Sequence, residues 1–325
     1  MNNYSWLQQK LHQFALSSSL IRTSTFDVES YLFSSYKEFE NHVFISGLAR
    51  SGSTILLNAL YQSDEFASLS YINMPFVLAP NLWSKLSSNK KNHDLFERAH
   101  GDGLKVSLDS PEAFEEVFWM TFKDNEEETI KKFKSYIQNV NQSSNKNRYL
   151  SKNNQNIKRL DLISTIYPGS KILIPFREPI NHAYSLLRQH KRFLANSKKD
   201  KFISDYMKWI GHLEFGPHYK PLHEHEIKFT NSMDINHWLE QWCMTYQDCY
   251  KNLIDKKNVY FICYEELCSS KKYWEYILNS LDVYKPYDFE FKLSKRNIFP
   301  NIDQSLSDRA KSIYFKLYRY VKKNI

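Results

Sequence analysis

Glycine is scarce in this chain, with 7 among 325 residues, so a glycine that falls inside a motif carries more weight than usual. Cysteine is sparse too. Cys243, Cys249, Cys263 and Cys268 form no Cys-x-x-Cys pair, which fits reduced thiols in a cytosolic protein better than a disulfide framework. No apolar run reaches the length of about 18 residues that a membrane-spanning helix requires. The opening residues Met1–Trp6 lack the charged and apolar regions of a secretory signal, so a cytoplasmic location is expected. There is no Gly-x-Ser-x-Gly, which excludes a hydrolase nucleophile elbow. The histidines around His223-Glu224-His225, with His212, His218 and His237 in the same region, lack the His-x3-His spacing of a helical zinc site. They read as solvated loop residues, and no metal is expected. Repeats and low-complexity segments are also absent.

What is present is a moderate excess of positive charge, +8 from 44 Lys+Arg against 36 Asp+Glu. That balance suits an anionic cofactor or acceptor. The basic residues are scattered among acidic ones, so nucleic acid is not expected.

Short apolar runs alternate with helical patterns, which predicts an α/β fold with a parallel sheet. Residues 1–40 read as a helical segment, with Leu7, Leu11 and Phe14 at helical spacing. Strands are expected at His42–Ser46, Arg148–Lys152, Lys171–Phe176 and Val259–Tyr264. Helices are expected at 54–63, 156–166, 179–195 and 236–254. Another should open at Ser110-Pro111, a good cap and first-turn pair, and the polar stretch 123–147 reads as an exposed helix and loop. The histidine- and aromatic-rich region 193–240 resembles a helical cap. The whole is read as one domain over 1–325.

The segment Val43-Phe44-Ile45-Ser46-Gly47-Leu48-Ala49-Arg50-Ser51-Gly52-Ser53-Thr54 carries the most chemistry. A buried strand runs through a loop with two glycines into a helix. That geometry aims backbone N–H groups and a helix N-terminus at an anion, while Ser51, Ser53 and Thr54 add hydroxyl donors. The spacing Gly47-x4-Gly52 is that of a Walker A loop whose lysine is replaced by Ser53. The cation stands earlier, at Arg50, and an arginine can grip a phosphosulfate by a bidentate contact without a metal.

Here the chain resembles the P-loop sulfotransferase family, in the branch with arginine in the loop, as in tyrosylprotein sulfotransferases and many bacterial members. The resemblance implies a P-loop NTPase-like fold, a short parallel sheet flanked by helices, and 3′-phosphoadenosine 5′-phosphosulfate (PAPS) as co-substrate. Arg177, after the strand Lys171–Phe176, and Ser185, eight residues on, match the identity and spacing of the pair that binds the 3′-phosphate in that family. Val259–Leu267 resembles the family's late strand, with Tyr264 near the nucleotide and Glu266 in place of the family's aspartate. Many members carry a basic segment near the C-terminus over the 3′-phosphate, a role Lys295 and Arg296 could serve, although no spacing rule supports it and they read more readily as a solvated basic turn. The resemblance covers about residues 42–285.

Sulfuryl transfer requires the sulfate held in line, charge stabilised on the leaving phosphate, and a base for the acceptor hydroxyl. Arg50 suits the bridging and leaving oxygens. Lys152 matches a lysine that many members place against the sulfonate. The glutamate that tyrosylprotein sulfotransferases carry beyond the loop has no counterpart in Leu69–Pro75, where no carboxylate occurs. Glu112 and His100 are the candidate bases, although Glu112 could equally serve the helix dipole. The expected partners are a nucleotide co-substrate and a hydroxyl acceptor, a glycan or a small metabolite. Two other readings use the same loop: an ATP-dependent P-loop phosphotransferase, disfavoured by Ser53, and a nucleotide-binding protein without catalysis.

Overall fold

The computed structural model describes residues 5–33, 37–87, 96–97, 105–123, 126–224, 226–284, 287, 289–293 and 301–324. Five strands form one parallel sheet in the order β2-β5-β1-β6-β7. These are β1 (Val43–Ile45), β2 (Phe66–Ala67), β5 (Arg148–Lys152), β6 (Lys171–Phe176) and β7 (Val259–Cys263). The register pairs Ile45 with both Lys152 and Leu173, and Phe176 with Cys263. All three β1 residues are fully buried, which explains why their apolar character is continuous rather than alternating. The remaining strands, β3 (Phe96–Glu97) and β4 (Lys105–Val106), make a small antiparallel pair of their own.

Parallel strands deliver their C-terminal ends to one edge, where open α/β sheets bind ligands. Here that edge receives the glycine loop from β1, Lys152 from β5, Arg177 just past β6, and Tyr264 just past β7. At the opposite end Arg148 clamps the start of β5. Its guanidinium donates to the carbonyls of Asn41 at 3.1 Å, Leu281 at 2.6 Å and Asp282 at 3.2 Å, pairs with Glu65 at 3.2 Å, and lies over the Phe66 ring.

The helices in chain order are α1 (Trp6–Ser17), α2 (Ser19–Phe33), α3 (Ser53–Tyr61), α4 (Pro80–Leu86), α5 (Glu116–Thr121), α6 (Glu126–Ser143) and α7 (Leu160–Ile166). They continue with α8 (Pro179–Ser197), α9 (Lys201–Trp209), α10 (Ile235–Leu253), α11 (Tyr264–Ser269), α12 (Lys271–Ser280) and α13 (Gln304–Asn324). In one group α2, α4 and α6 pack together, and in another α8, α10 and α13 do. The first group is tied by Glu29, a fully buried carboxylate on α2. It accepts the N–H groups of Asn81 at 2.8 Å and Leu82 at 2.9 Å. Those donors begin α4, whose own cap residue Ala79 has no side-chain acceptor to offer.

Three sequence expectations change. The helix expected to open at Ser110-Pro111 starts at Glu116 instead. Pro111 bridges to Ser70 and the Glu112 N–H donates to Leu69 O at 3.0 Å, so the backbone there serves a sheet-like contact. The polar stretch after residue 123 contains an amphipathic helix rather than an exposed one, since α6 buries Phe133, Tyr136, Ile137 and Val140. The histidines of the cap region are not all solvated: His237 is 2% exposed, held between Tyr219 Oη at 2.7 Å and Phe229 O at 2.7 Å. Within the cap region, α8 runs on to Ser197, α9 follows, and α10 begins at Ile235. Cys243, Cys249 and Cys263 are buried, and burial pushes each thiol up to about 12. Among the described residues no helix is long and apolar enough to cross a membrane.

Two buried histidines make the fold acid-sensitive. His42 accepts the Tyr149 N–H at Nδ1 (3.1 Å), and His190 accepts the Gly216 N–H at Nδ1 (3.2 Å). Protonation would remove both acceptors. Burial, reinforced by Arg148 at His42 and by His237 at His190, lowers each to about 4. The unfolded chain therefore takes up these protons first, near the ordinary value of about 6.5. The stability they contribute is complete above that value and is lost as pH falls from there toward 4. Between pH 7 and pH 5 urea denaturation is expected to show a loss of about 4 kcal/mol from the pair, and His42→Asn a shallower decline. A flat profile would show that the imidazoles are not held neutral.

Candidate functional site

The loop after β1 is shaped by two residues in the left-handed region: Arg50 at φ 68° and Gly52 at φ 99°. Glycine adopts that conformation freely, whereas arginine does so at a cost, and such strain gathers at functional loops. The turn closes with Ser51 N–H on Leu48 O at 3.3 Å, and α3 begins at once, with Leu56 N–H on Gly52 O at 3.0 Å. Gly52 supplies no side-chain cap, so the first amides of α3 are presented to whatever sits in the loop. Ser51 and Ser53 are buried beneath it.

A second cation arrives from β6. Arg177 follows the strand and is 7% exposed, and its guanidinium carbon lies 4.9 Å from the centre of the Tyr264 ring. Tyr264 is packed just as closely on its loop side: a Cβ placed on Gly52 would come within 2.7 Å of its Cδ2. The Tyr264 hydroxyl donates to Lys292 O at 2.7 Å, which fixes the ring plane. Glu178 then caps α8 by accepting the N–H groups of Ile180 at 3.2 Å and Asn181 at 2.7 Å.

The first turns of α8 join the two pockets. Ser185 Oγ accepts the Arg50 Nε–H at 3.3 Å. His182 is fully buried and donates Nε2–H to Ala49 O at 2.8 Å, inside the phosphate loop. Burial lowers its pKa to about 3, and Arg177 and, less strongly, Arg50 push it in the same direction. Both guanidiniums thus act on one imidazole. Arg50, distant in sequence from Arg177 and Ser185, lies in one neighbourhood with them, Gly52 and Tyr264.

Lys152 ends β5 beside Ile45, and the next N–H, Asn153, donates to Ile45 O at 3.0 Å. Lys152 is 8% exposed. It lines a narrow cavity of about 40 Å³ with Arg50, Ser53 and Thr54, closed by Asn154, Gln189 and the segment His212–Phe215. Two carboxylates hold the backbone beyond Lys152. Glu115 accepts from Asn156 Nδ2 at 2.6 Å, Tyr149 Oη at 3.1 Å and Trp119 Nε1 at 2.9 Å. Glu116 accepts from Asn153 Nδ2 at 2.9 Å and takes a two-pronged contact from Arg159 at 2.7 and 2.8 Å.

Of the candidate bases, Glu112 is 5% exposed, with Oε2 accepting from Tyr71 Oη at 2.8 Å and Oε1 from the Ala113 N–H at 2.9 Å. His100, Lys295 and Arg296 lie outside the described residues. The residues that sequence reasoning passed over are His212 and Glu214. His212 donates Nε2–H to Ala113 O at 2.9 Å, and Glu214 Oε1 accepts from Asn154 Nδ2 at 2.8 Å. Their only sequence signal was a histidine and a carboxylate two residues apart after α9, in a region read as solvated.

The residues at the sheet edge fit a nucleotide with an anionic group at each end: cations, hydroxyls and helix amides converge there. Among the described residues, no group of three His, Cys, Asp or Glu side chains is arranged to hold a metal ion.

The family model described as the sulfotransferase family matches residues 42–283. No curated protein matches the chain. Among solved structures, the chain is similar to sulfotransferase STF1 from Mycobacterium tuberculosis H37Rv at 12% identity and a TM-score of 0.48, covering 98% of this chain and 86% of that one. It is similar to sulfotransferase STF9 from Mycobacterium avium at 10% identity and a TM-score of 0.46, covering 97% and 79%. For a sulfotransferase from Alicyclobacillus acidocaldarius the values are 14%, 0.39, 87% and 94%.

The Gly52–Tyr264 contact yields a test of the loop. Gly52→Ala places a Cβ against the ring at a positive φ, and is expected to lower stability by about 1–3 kcal/mol in urea denaturation. In a Tyr264→Ala background Gly52→Ala should cost less than it does in the parent, because the clash is gone and only the backbone strain remains. An equal cost in both backgrounds would mean that the ring does not press on the loop.

Proposed function

The chain belongs to the sulfotransferase family, and we propose that the sulfuryl group it transfers comes from PAPS and goes to an acceptor hydroxyl in the cavity of Lys152. The observation that carries this reading is the meeting of two cationic groups at the sheet edge: Arg50 is bonded to Ser185 of α8, and Arg177 lies over the Tyr264 ring that packs on Gly52 of the Arg50 loop. PAPS supplies a sulfuryl group already activated by its anhydride link to phosphate. Arg50, the α3 amides, Ser53 and Thr54 would hold the 5′-phosphosulfate. Arg177 and Ser185 would hold the 3′-phosphate. Ser185 accepts from Arg50 and keeps its own hydrogen to donate. Lys152 meets the sulfonate from the β5 side.

Glu214 is the carboxylate placed to accept the acceptor's proton. It shares the cavity with Arg50 and Lys152, and Asn154 fixes one carboxylate oxygen, orienting the other. In the reaction the acceptor oxygen bonds to sulfur, and its proton passes to Glu214. The bond from sulfur to the phosphate oxygen breaks, and its electron pair leaves with the bisphosphate, beside Arg50. Each charge that develops is met by a group already in place.

Two measurements test this. Arg177→Ala should weaken binding of adenosine 3′,5′-bisphosphate by the worth of a charge-assisted contact, about 1.5–3 kcal/mol, and leave adenosine 5′-monophosphate nearly unaffected. Equal loss for both nucleotides would remove Arg177 from the 3′-phosphate. Glu214→Gln should keep bisphosphate affinity and lower kcat about 100-fold or more, the usual worth of a general base. Unchanged turnover would move the base elsewhere.

A further inference from the structure

A second cavity, of about 780 Å³, opens beside α5 and shares none of its lining residues with the cavity of Lys152. Its volume falls within the range of about 300–1,000 Å³ usual for small-molecule sites. Trp119, Phe122, Leu162 and Trp209 give it an apolar wall. Trp119 is 6% exposed, and Arg159 lies over its indole at 5.0 Å. Trp209, at the end of α9, is braced edge-on by Phe202 at 6.1 Å. Trp119, packed by Phe133 at 4.5 Å as well, closes the floor of the wall, whereas the half-buried Trp209 offers flat apolar surface at little cost in side-chain freedom.

The charged groups around that wall are unequal in sign. Arg22, Lys123, Arg159 and Lys208 face Glu116 and Glu126. One of the two carboxylates is already satisfied, because Arg159 grips both oxygens of Glu116. Arg22 is anchored on neutral oxygens, donating to Thr121 Oγ1 at 2.7 Å and to Leu16 O, so its charge is not cancelled by those contacts. Lys123 and Lys208 are exposed at the rim. The side chains that line the cavity therefore carry a net positive charge, and an anion entering it exchanges water for apolar surface on one side and for cations on the other.

We propose that this cavity is a binding site for an organic anion with an aromatic body, its ring against Trp209 and the apolar wall and its carboxylate, sulfonate or phosphate toward Lys208, Lys123 and Arg22. The site is separate from the nucleotide pocket. It is nevertheless connected to it, because Glu116 lines the cavity with one flank and accepts from Asn153, the residue after Lys152, with the other. Gly211 seals the wall between the two: a Cβ there would strike Glu116 Cγ at 2.5 Å. This inference rests on the cavity alone and stands or falls separately from the donor assignment.

The test uses the full chain and 8-anilinonaphthalene-1-sulfonate, an aromatic sulfonate whose emission rises on binding. Saturable binding is expected in the presence of excess adenosine 3′,5′-bisphosphate. Lys208→Glu should weaken it about fivefold, the scale of an exposed charge contact reversed in sign. The uncharged N-phenyl-1-naphthylamine should bind more weakly to the parent and be indifferent to that change. Lys208 is exposed, so the variant is expected to keep the parent's denaturation midpoint and bisphosphate affinity, which separates a local effect from misfolding. Displacement of the probe by the bisphosphate would place it in the nucleotide pocket and overturn the proposal. Equal affinity of the parent and Lys208→Glu for the sulfonate would overturn it as well.

Discussion

Two guanidinium groups brought near one buried imidazole repel each other, and much of the sheet edge can be understood as the means of tolerating that repulsion. His182 answers it by staying neutral: it gives its one N–H to Ala49 O and is too deeply buried to take a proton. Tyr264 answers it by turning its ring face to Arg177, where the negative quadrupole lies. Ser185 answers it with a lone pair for Arg50. None of these three groups carries a full negative charge. A ligand with anionic groups at two positions gains from both arginines at once. The folded chain has already met the cost of assembling them.

Of the acidic residues near Lys152, Glu214 lines its cavity, whereas Glu115 and Glu116 are buried and do not. They hold Asn153, Asn156 and Arg159, which fix the backbone immediately beyond Lys152. Their contacts act on the residues that follow the strand end. Buried groups of this kind are acceptable because each finds several donors.

Much of this edge was legible in the sequence, for identifiable reasons. A strand–loop–helix with glycines at fixed spacing is local, so Arg50 to Thr54 could be read as a unit. Arg177 and Ser185 were legible because both lie on one short strand–helix segment whose spacing survives in a linear chain. Lys152 was legible as the end of a short strand and through its match to a lysine of the family the chain resembles. Glu214 and His212 were not, because they reach the cavity only through the path of the chain after α9, and no periodicity announces that path. The mistaken helix start at Ser110 has a similar origin. A serine before a proline is a good cap in isolation, but the long-range bridge of Pro111 to Ser70 took the backbone first. The two-residue strand β2 was too short to leave a pattern, and α6 looked exposed because its polar face outnumbers the stripe of Phe133, Tyr136, Ile137 and Val140 that it buries.

The wall formed by Glu116 and Gly211 makes the two cavities mechanically dependent. Glu116 cannot turn toward a ligand on one side without loosening Asn153 on the other, since the same carboxylate oxygen, Oε2, serves both Arg159 and Asn153. Gly211 cannot yield either, because its backbone sits at φ 76° against Glu116 and Met120, with no room for a Cβ. Movement of α9 would therefore be felt at both His212–Glu214 and Trp209, which stand on opposite sides of that glycine in the chain. A fold that needs a base delivered by a distant segment gains precision from such rigidity. It also acquires a route by which occupancy of the tryptophan-lined cavity would bear on the position of Lys152, through contacts already present.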